Sequence, residues 1–169
     1  MKKLKNIFVL TLSIIIMLFS LTCYAALPDE AFSAEKLFVG GSFAAASQLY
    51  GNPVSSKMGN DKSTINYYKT PNGIIGVVMG MDSTIGRIII NEAGGKTAAG
   101  IQVGSTISEV NNIYGRPTFT GKDYYSKKGS VLDVFTYNRE LPQQRLKQLS
   151  ITMENNKVVR IVISYGMNY

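Results

Sequence analysis

The chain has 169 residues, with 18 Lys or Arg against 11 Asp or Glu, a net charge of +7, one cysteine, and neither histidine nor tryptophan. Without histidine, imidazole acid–base catalysis is excluded, and zinc or haem would lack their commonest protein ligands. We therefore expect no metal site and no cofactor. The length of the chain is enough for one domain or two small ones.

Residues 1–25 have the pattern of a signal peptide. Lysines stand at positions 2, 3 and 5, an apolar run of 15 residues covers 7–21, and Cys23-Tyr24-Ala25 precedes the expected cleavage point. The run is shorter than the roughly 20 residues of a membrane-spanning helix. The sequence therefore predicts export to the periplasm or the exterior. A retained N-terminal membrane anchor and a lipid on Cys23, which would associate the chain with the outer membrane, are the alternatives.

The rest of the chain repeats itself. Residues 39–53 align with residues 103–117 at an offset of 64, with five identities: a Val-Gly pair, a Tyr-Gly pair and a proline. Further on, Arg87-Ile88-Ile89-Ile90 aligns with Arg160-Ile161-Val162-Ile163 at an offset of 73. We interpret this as a duplication, with a first repeat at 26–95 and a second at 96–169.

Each repeat begins with a short helix. In the second, Thr106 and Glu109 have the spacing of a capping box, apolar residues recur at three and four positions, and Gly115 and Pro117 end the helix. The first repeat has a weaker version that starts at Gly41 or Ser42 and ends at Gly51.

Three extended segments follow each helix. In the first repeat they are 64–69, 74–81 and 85–90; in the second they are 131–137, 146–153 and 158–165. The sequence thus predicts an α+β fold of two tandem repeats, each a short helix, or helix pair, packed on a three-stranded antiparallel β-meander.

The stretch Asn91–Gly100, "NEAGGKTAAG", resembles the start of a phosphate-binding loop because glycines and Lys-Thr follow an apolar strand. That loop requires a glycine five residues before Gly95, and the residue there is Ile90. Gly94-Gly95-Lys96 is better interpreted as the link between the repeats.

Two kinds of catalytic pattern can be drawn from the sequence. Ser33-Ala34-Glu35-Lys36 fits Ser-x-x-Lys, and Lys96-Thr97-Ala98 resembles the second Lys-Thr element of penicillin-binding enzymes, but the Ser-Asp-Asn element is missing. A carboxylate pair for glycoside hydrolysis could only come from acids spread singly along the chain. These are Asp82, Asp123, Asp133, Glu140 and Glu154. We predict no enzymatic activity and no catalytic residue.

Aromatic residues cluster on or beside the first strand of each repeat. Strand alternation sends Phe135 and Tyr137 to one face, and Tyr67 and Tyr68 to opposite faces, so about half should be core and the others exposed. Exposed aromatic side chains are typical of protein-recognition surfaces. The candidate protein-binding residues are Tyr67, Tyr68, Tyr124, Tyr125, Phe135 and Tyr137.

The positive charge lies in the second repeat, where residues 101–169 hold nine basic and five acidic residues. The basic residues are dispersed, so a solvated basic face is the simpler interpretation; an acidic protein partner or the anionic cell envelope is the other. No nucleic-acid-binding motif is present, and we expect no nucleic-acid partner.

The segment "IQVGSTISEVNNIYGRP", followed by a tyrosine-rich strand and the hairpin "LSITMENNKVVRIVIS", resembles the BamE/SmpA family and the halves of β-lactamase inhibitor proteins. The match falls on Gly104, Thr106, Val110, Gly115 and Pro117. It is weaker at Gly40, Gly51 and Pro53. The first family implies an envelope lipoprotein that supports outer-membrane barrel assembly. The second implies a sheet surface formed by two copies that grips an enzyme.

The expected function is therefore an exported, non-enzymatic, protein-binding module of the cell envelope, which the BamE-like resemblance associates with envelope or outer-membrane protein assembly. The alternative is a secreted inhibitor of a hydrolase such as a β-lactamase. A carboxylate-based envelope hydrolase is the third, less favoured, possibility. The partner in either binding case is another envelope or secreted protein.

Overall fold

A computed structural model describes residues 27–123, 132–143 and 145–167. A 3-10 turn at Asp29–Phe32 leads into a small hairpin of two short strands, β1 (Ser33–Ala34) and β2 (Leu37–Phe38). Next come α1 (Ala44–Tyr50), β3 (Ser55–Met58), β4 (Thr64–Lys69), β5 (Ile74–Met79) and β6 (Ile85–Ile90). The later elements are α2 (Ile107–Tyr114), β7 (Phe119–Asp123), β8 (Leu132–Leu141), β9 (Arg145–Glu154) and β10 (Lys157–Met167).

The strands β3 to β10 form one antiparallel sheet in the order β3-β4-β5-β6-β10-β9-β8-β7. Four strands from the first half of the chain and four from the second meet at a seam between β6 and β10. At this seam Ile161 lies opposite Ile90, and Ile163 lies opposite Ile88. The order is symmetric about the seam, since each half runs from an edge strand inwards to its last strand.

The predicted fold class is wrong. The described residues are mostly β, with 51% of them in strands and only two short helices among them, and strands β3 to β10 form one eight-stranded sheet instead of two helix-packed three-stranded meanders. The edge strands β3 and β7 were missed because they are short and polar; all four residues of β3 are exposed. The two meanders join because β6 and β10 are apolar on both sides, and pairing buries them.

One face of the sheet carries the core. A cross-strand row of Val77, Ile88, Ile163, Leu149 and Tyr137 is buried on this side, with each side chain at most 2% exposed. Burial of such side chains is worth about 1.5–3 kcal/mol each. The fully buried residues of the helices and the N-terminal segment complete the same core. They include Phe32, Ala34, Leu37, Ala46 and Val110.

Helix α2 begins as the sequence predicts. The Glu109 N–H donates to Thr106 Oγ1 at 3.3 Å, and the Thr106 N–H donates to the Glu109 carboxylate at 2.6 Å, which confirms the capping box. Gly115 ends the helix with φ at 70°. Helix α1 has no side-chain cap, so its position depends on packing against the sheet.

The N-terminal segment crosses from one half of the sheet to the other. Asp29 accepts a hydrogen bond from Lys147 at 2.6 Å and lies 3.5 Å from Arg139, whereas the Glu35 carboxylate accepts a hydrogen bond at 3.0 Å from the amide of Asn72, in the turn between β4 and β5. The first residues of the predicted first repeat therefore contact strands of the second. The repeat boundaries at 26–95 and 96–169 stay a prediction, as does the signal at 1–25, which lies outside the described residues.

Candidate protein-binding face

The second side of the sheet, which we call the open face, consists of the alternate residues of each strand. Residues directly opposite each other on paired strands share a side. The central row of the open face crosses all eight strands through Ser55, Tyr67, Gly76, Ile89, Val162, Ser150, Thr136 and Phe119. The row beside it holds Lys57, Ile65, Val78, Arg87, Ser164, Gln148 and Asn138.

Both helices lie against the other side. The Ser47 hydroxyl of α1 is 3.3 Å from the Tyr68 hydroxyl, and the ring of Tyr114 on α2 lies 5.5 Å from that of Tyr137. The N-terminal segment reaches the same side through Asp29. Within residues 27–123, 132–143 and 145–167, the helices and the N-terminal segment therefore leave the open face uncovered.

The first half of the open face has an apolar centre around Gly76. A Cβ atom there would lie 2.8 Å from Ile65 Cγ2 and 3.3 Å from Tyr67 Cε1, so these two side chains fill the space that glycine leaves. Val78 and Ile89 are only 5% and 3% exposed although no helix covers them. The apolar centre is thus tightly packed.

The second half of the open face is more polar. The Gln148 amide donates to Asn138 Oδ1 at 3.1 Å and accepts from the Ser150 hydroxyl at 3.5 Å. At the far edge, Phe119 is 62% exposed. Its ring leans over Gly121, where a Cβ atom would come within 2.8 Å of the ring. Two aromatic residues, Tyr67 and Phe119, therefore pack against glycines, one in each half of the open face.

Basic side chains surround the apolar centre. Lys57, Lys69 and Arg160 are exposed. Arg87 donates to the carboxylate of Asp61 at 2.7 Å. Hydrogen bonds from Ser63 and then from Arg87 hold the pKa of that carboxyl well below its usual range, so Asp61 stays ionised and fixes the guanidinium. Carboxylates on the same side lie at strand ends, as with Glu140 and Glu154.

The six aromatic residues predicted from the sequence to bind a protein partner do not all lie on one face of the sheet. Tyr67 lies on the open face, half-buried. Tyr68 and Tyr137 are buried in the core, 1% and 2% exposed, and Phe135 packs against that core on the same side. Tyr124 and Tyr125 lie outside the described residues. Strand alternation correctly placed Tyr67 and Tyr68 on opposite faces, and their role in partner binding stays a prediction.

The glycines of "NEAGGKTAAG" have a packing role. A Cβ atom on Gly94 would lie 2.1 Å from the carbonyl oxygen of Asn72, and one on Gly73 would lie 2.7 Å from the nitrogen of Gly95. The turn between β4 and β5 thus touches the linker backbone directly. This contact explains why two glycines are needed here without a phosphate ligand.

The Ser-x-x-Lys pattern forms no nucleophile pair. The Ser33 hydroxyl donates to the carbonyl oxygen of Glu30 at 2.5 Å. The intervening Glu35, 9% exposed, accepts from the Asn72 amide at 3.0 Å and from the Lys96 N–H at 2.9 Å. The pattern therefore marks a structural junction between the small N-terminal hairpin, the β4–β5 turn and the linker.

The single acids belong to different elements of the fold. Asp82 is in the turn between β5 and β6, Asp123 ends β7, and Asp133 on β8 forms an ion pair with Lys122. Within the described residues no group of His, Cys, Asp and Glu could hold a metal ion. The same part of the chain contains no helix long and apolar enough to cross a membrane.

Comparison with known proteins gives a fold likeness only. No protein-family model matches the chain, and no curated protein sequence matches it. Among solved structures, a DUF4309 family protein (YjgB) from Bacillus subtilis subsp. subtilis str. 168 is similar, with a TM-score of 0.53 and 14% identity. The match covers 86% of this chain and 91% of that protein. At this identity, the likeness concerns the fold alone.

A weaker likeness is to a cysteine-rich secretory protein (SAV1118) from Staphylococcus aureus subsp. aureus Mu50, with a TM-score of 0.43 and 11% identity. The match covers 75% of this chain and 44% of that protein, so this chain spans less than half of its length. A likeness at this level supports no conclusion about function.

Several residues of the open face were missed by the sequence analysis. Phe119 stands in an edge strand, β7, that the sequence did not predict. Arg87 and Arg160 stand at the start of the two apolar runs that pair at the seam. Their recurrence in both repeats was noticed, but only the strand register shows that Arg87 and Arg160 share a face with Tyr67.

Proposed function

We propose that this chain is an exported, non-enzymatic protein-binding module of the cell envelope, and that the open face holds its partner. The observation that carries the proposal is the uncovered side of an eight-stranded sheet, with an apolar centre at Gly76 and a basic border. Contiguous apolar surface bordered by polar groups is typical of interaction sites. The signal-like residues 1–25 support export.

The chemistry of the open face defines the kind of partner. An apolar patch on the partner would contact Ile65, Tyr67 and Val162, and carboxylates around that patch would face Lys69 and Arg160. Opposite charges at the border of an interface mainly accelerate association and select partners, and they weaken as salt rises. The partner is therefore a protein with an acidic border around an apolar patch.

A secreted or envelope hydrolase is the second candidate partner. The sheet continues unbroken across β6 and β10, and such a broad surface suits the convex surface of a folded enzyme better than an extended peptide. The sequence resemblance to β-lactamase inhibitor proteins points the same way. Rate measurements on hydrolases, including β-lactamases, with and without the purified protein distinguish this candidate from an assembly role.

Affinity capture with charge-reversed variants tests the open face. The purified protein, the double variant Lys69→Glu/Arg160→Glu and the control Arg116→Glu serve as baits for envelope and secreted proteins of the producing cells. Arg116 is a matched control because it is exposed and follows Gly115 at the end of α2, away from the open face.

We expect one acidic protein to be enriched by the natural chain and by Arg116→Glu. The double variant should lose at least about tenfold of that enrichment, since each reversed charge pair costs on the order of 1 kcal/mol or more. High salt should reduce the enrichment as well. Equal enrichment by all three baits, or none by any, contradicts the proposal.

A further inference from the structure

A small cavity lies at the end of the seam, between the β5–β6 turn and the β9–β10 pair. It has a volume of about 110 Å³ and is lined by Met81, Asp82, Thr84, Arg145, Tyr165 and Gly166. Pockets for drug-sized ligands measure about 300–1,000 Å³, so this one suits a ligand of amino-acid size. Arg145 and Tyr165 are on the core side of the sheet, which makes the cavity separate from the open face.

The basic wall of the cavity is fixed in place. Arg145 Nη1 donates to the Tyr165 hydroxyl at 2.6 Å, and the guanidinium carbon lies 5.6 Å from the centre of the Tyr165 ring. Strand register holds the two residues near each other, because Tyr165 on β10 lies opposite Lys147, two positions from Arg145 on β9. The Tyr165 ring is in turn within about 3.6 Å of the Cβ position of Gly40.

The acidic wall of the cavity is formed by the tight turn between β5 and β6. Asp82 and Ser83 both have φ at 57°, and the Thr84 hydroxyl donates to the carbonyl oxygen of Met81 at 2.7 Å. The backbone of Gly80 also donates to the carbonyl oxygen of Thr84 at 2.8 Å. The turn therefore presents Asp82 and Met81 in a defined position before any ligand binds.

The two charged groups of the cavity have no charged partner. Within the described residues, neither the Asp82 carboxylate nor the Arg145 guanidinium takes part in an ion pair. The neighbouring Lys147 and Arg139 are occupied by Asp29. The cavity is thus lined by an anionic and a cationic side chain that form no ion pair with each other. The rest of its lining includes the apolar side chain of Met81 and the ring of Tyr165.

We propose that this cavity binds a small zwitterion, namely an apolar α-amino acid in its free form. The ligand carboxylate would accept hydrogen bonds from Arg145, whose planar guanidinium matches carboxylate geometry. The ligand ammonium group would donate to Asp82, and the apolar side chain would contact Met81 and Tyr165. The site is independent of partner binding at the open face.

NMR titration of the isotope-labelled purified protein tests the proposal with three probes. They are L-leucine, leucinamide, which lacks the carboxylate, and N-acetyl-leucine, which lacks the ammonium group. We expect L-leucine to shift the backbone amides of residues 81–84 and of Gly166, with saturation in the millimolar range or below. Each of the other two probes should bind at least about tenfold more weakly.

Charge-removing variants show which residue binds the carboxylate of the ligand and which binds its ammonium group. Arg145→Gln should weaken L-leucine and N-acetyl-leucine and leave leucinamide unchanged, and Asp82→Asn should weaken L-leucine and leucinamide only. Asparagine tolerates the left-handed backbone at this position, so the turn is kept. Arg145→Lys, which retains the charge, should restore part of the binding.

Glu154→Gln is the matched control, because Glu154 ends the strand before the corresponding turn of the second half. It should leave all three affinities unchanged. Two results overturn the proposal. One is the absence of any shift at the cavity amides with L-leucine up to about 10 mM, where even weak binding is visible. The other is binding of L-leucine that neither Arg145→Gln nor Asp82→Asn weakens.

Discussion

The backbone N–H of Gly40 donates to the carbonyl oxygen of Ile85 at 2.8 Å, and the N–H of Gly104 donates to that of Val158 at the same distance. The two donors are 64 residues apart and the two acceptors 73. These are the offsets at which the sequence repeats. Each bond joins the segment before a helix to the first part of the last strand of its half.

Further bonds follow the same pattern. The Phe43 N–H donates to the carbonyl oxygen of Ser83 at 2.9 Å, and the Ile107 N–H to that of Asn156 at 3.0 Å. Helix α1 and helix α2 are thus attached to the final turn of their own half in the same way. This correspondence supports the interpretation of the chain as a duplication, although the elements form one sheet.

Gly94 gives a direct test of the contact between the linker and the β4–β5 turn. In Gly94→Ala, the new Cβ meets the carbonyl oxygen of Asn72, and φ is 110°, so the free energy of unfolding should fall by about 2–5 kcal/mol from backbone strain and overpacking together. Gly100→Ala is the control, since Gly100 also has a positive φ, 90°, but a Cβ atom added there would meet no neighbouring atom within 4 Å. It should cost only about 1–2 kcal/mol.

Urea denaturation of both variants measures the difference. A shift of the midpoint without a change in slope indicates a loss of stability. If Gly94→Ala costs no more than Gly100→Ala, the linker does not pack against Asn72 as the structure has it.

The capping box of α2 predicts a specific effect of Thr106→Ala. Loss of the side-chain acceptor should lower the free energy of unfolding by about 1 kcal/mol. The backbone N–H and then the hydroxyl of Thr106 lower the pKa of the Glu109 carboxyl, so in the variant this pKa should rise towards its ordinary value. NMR titration of Glu109 measures the pKa. Ser108→Ala, within the same helix and exposed, is the control and should leave it unchanged.

Tyr137 makes stability sensitive to alkaline pH. Burial, and then the neighbouring Tyr114, raise the pKa of Tyr137 to about 12, whereas the pKa of a tyrosine in the unfolded chain is about 10. Because the folded value is the higher one, the stabilisation is complete below pH 10 and is lost as pH rises towards 12. Denaturation midpoints measured across this interval should therefore fall.

Tyr137→Phe should make that decline shallower, at the cost of the hydrogen bond to the carbonyl oxygen of Gly115. A remaining decline is expected because burial also raises the pKa of Tyr114. A natural chain whose stability is constant from pH 10 to 12 would show that Tyr137 is accessible to solvent.

Most strands could be predicted from the sequence, but their assembly could not. Thr64–Lys69 and Ile85–Ile90 have the bounds that the sequence suggested, because alternation and turn residues are local properties. The polar strands β3 and β7 have no such pattern. The union of the halves was also missed, although the all-apolar runs at 88–90 and 161–163 are typical of strands buried on both sides.

The candidate site shows the same division. Alternation placed Tyr67 and Tyr68 on opposite faces, but it could not show which face the helices cover, since that depends on contacts between distant segments. The contact between Ser47 and Tyr68 decides it. The cavity at Arg145 and Asp82 depends on the seam and has no pattern in the sequence, because its two charged residues come from different halves.

Site-specific photo-cross-linking tests the role of the open face most directly. A photoreactive phenylalanine analogue replaces Tyr67 on the open face or, as the control, Leu49 on α1, which is half exposed on the opposite side, and the producing cells are irradiated. We predict one major protein adduct at position 67, absent in the Lys69→Glu/Arg160→Glu background and absent at position 49. Adducts of equal yield at both positions, or none at position 67, would contradict partner binding at the open face.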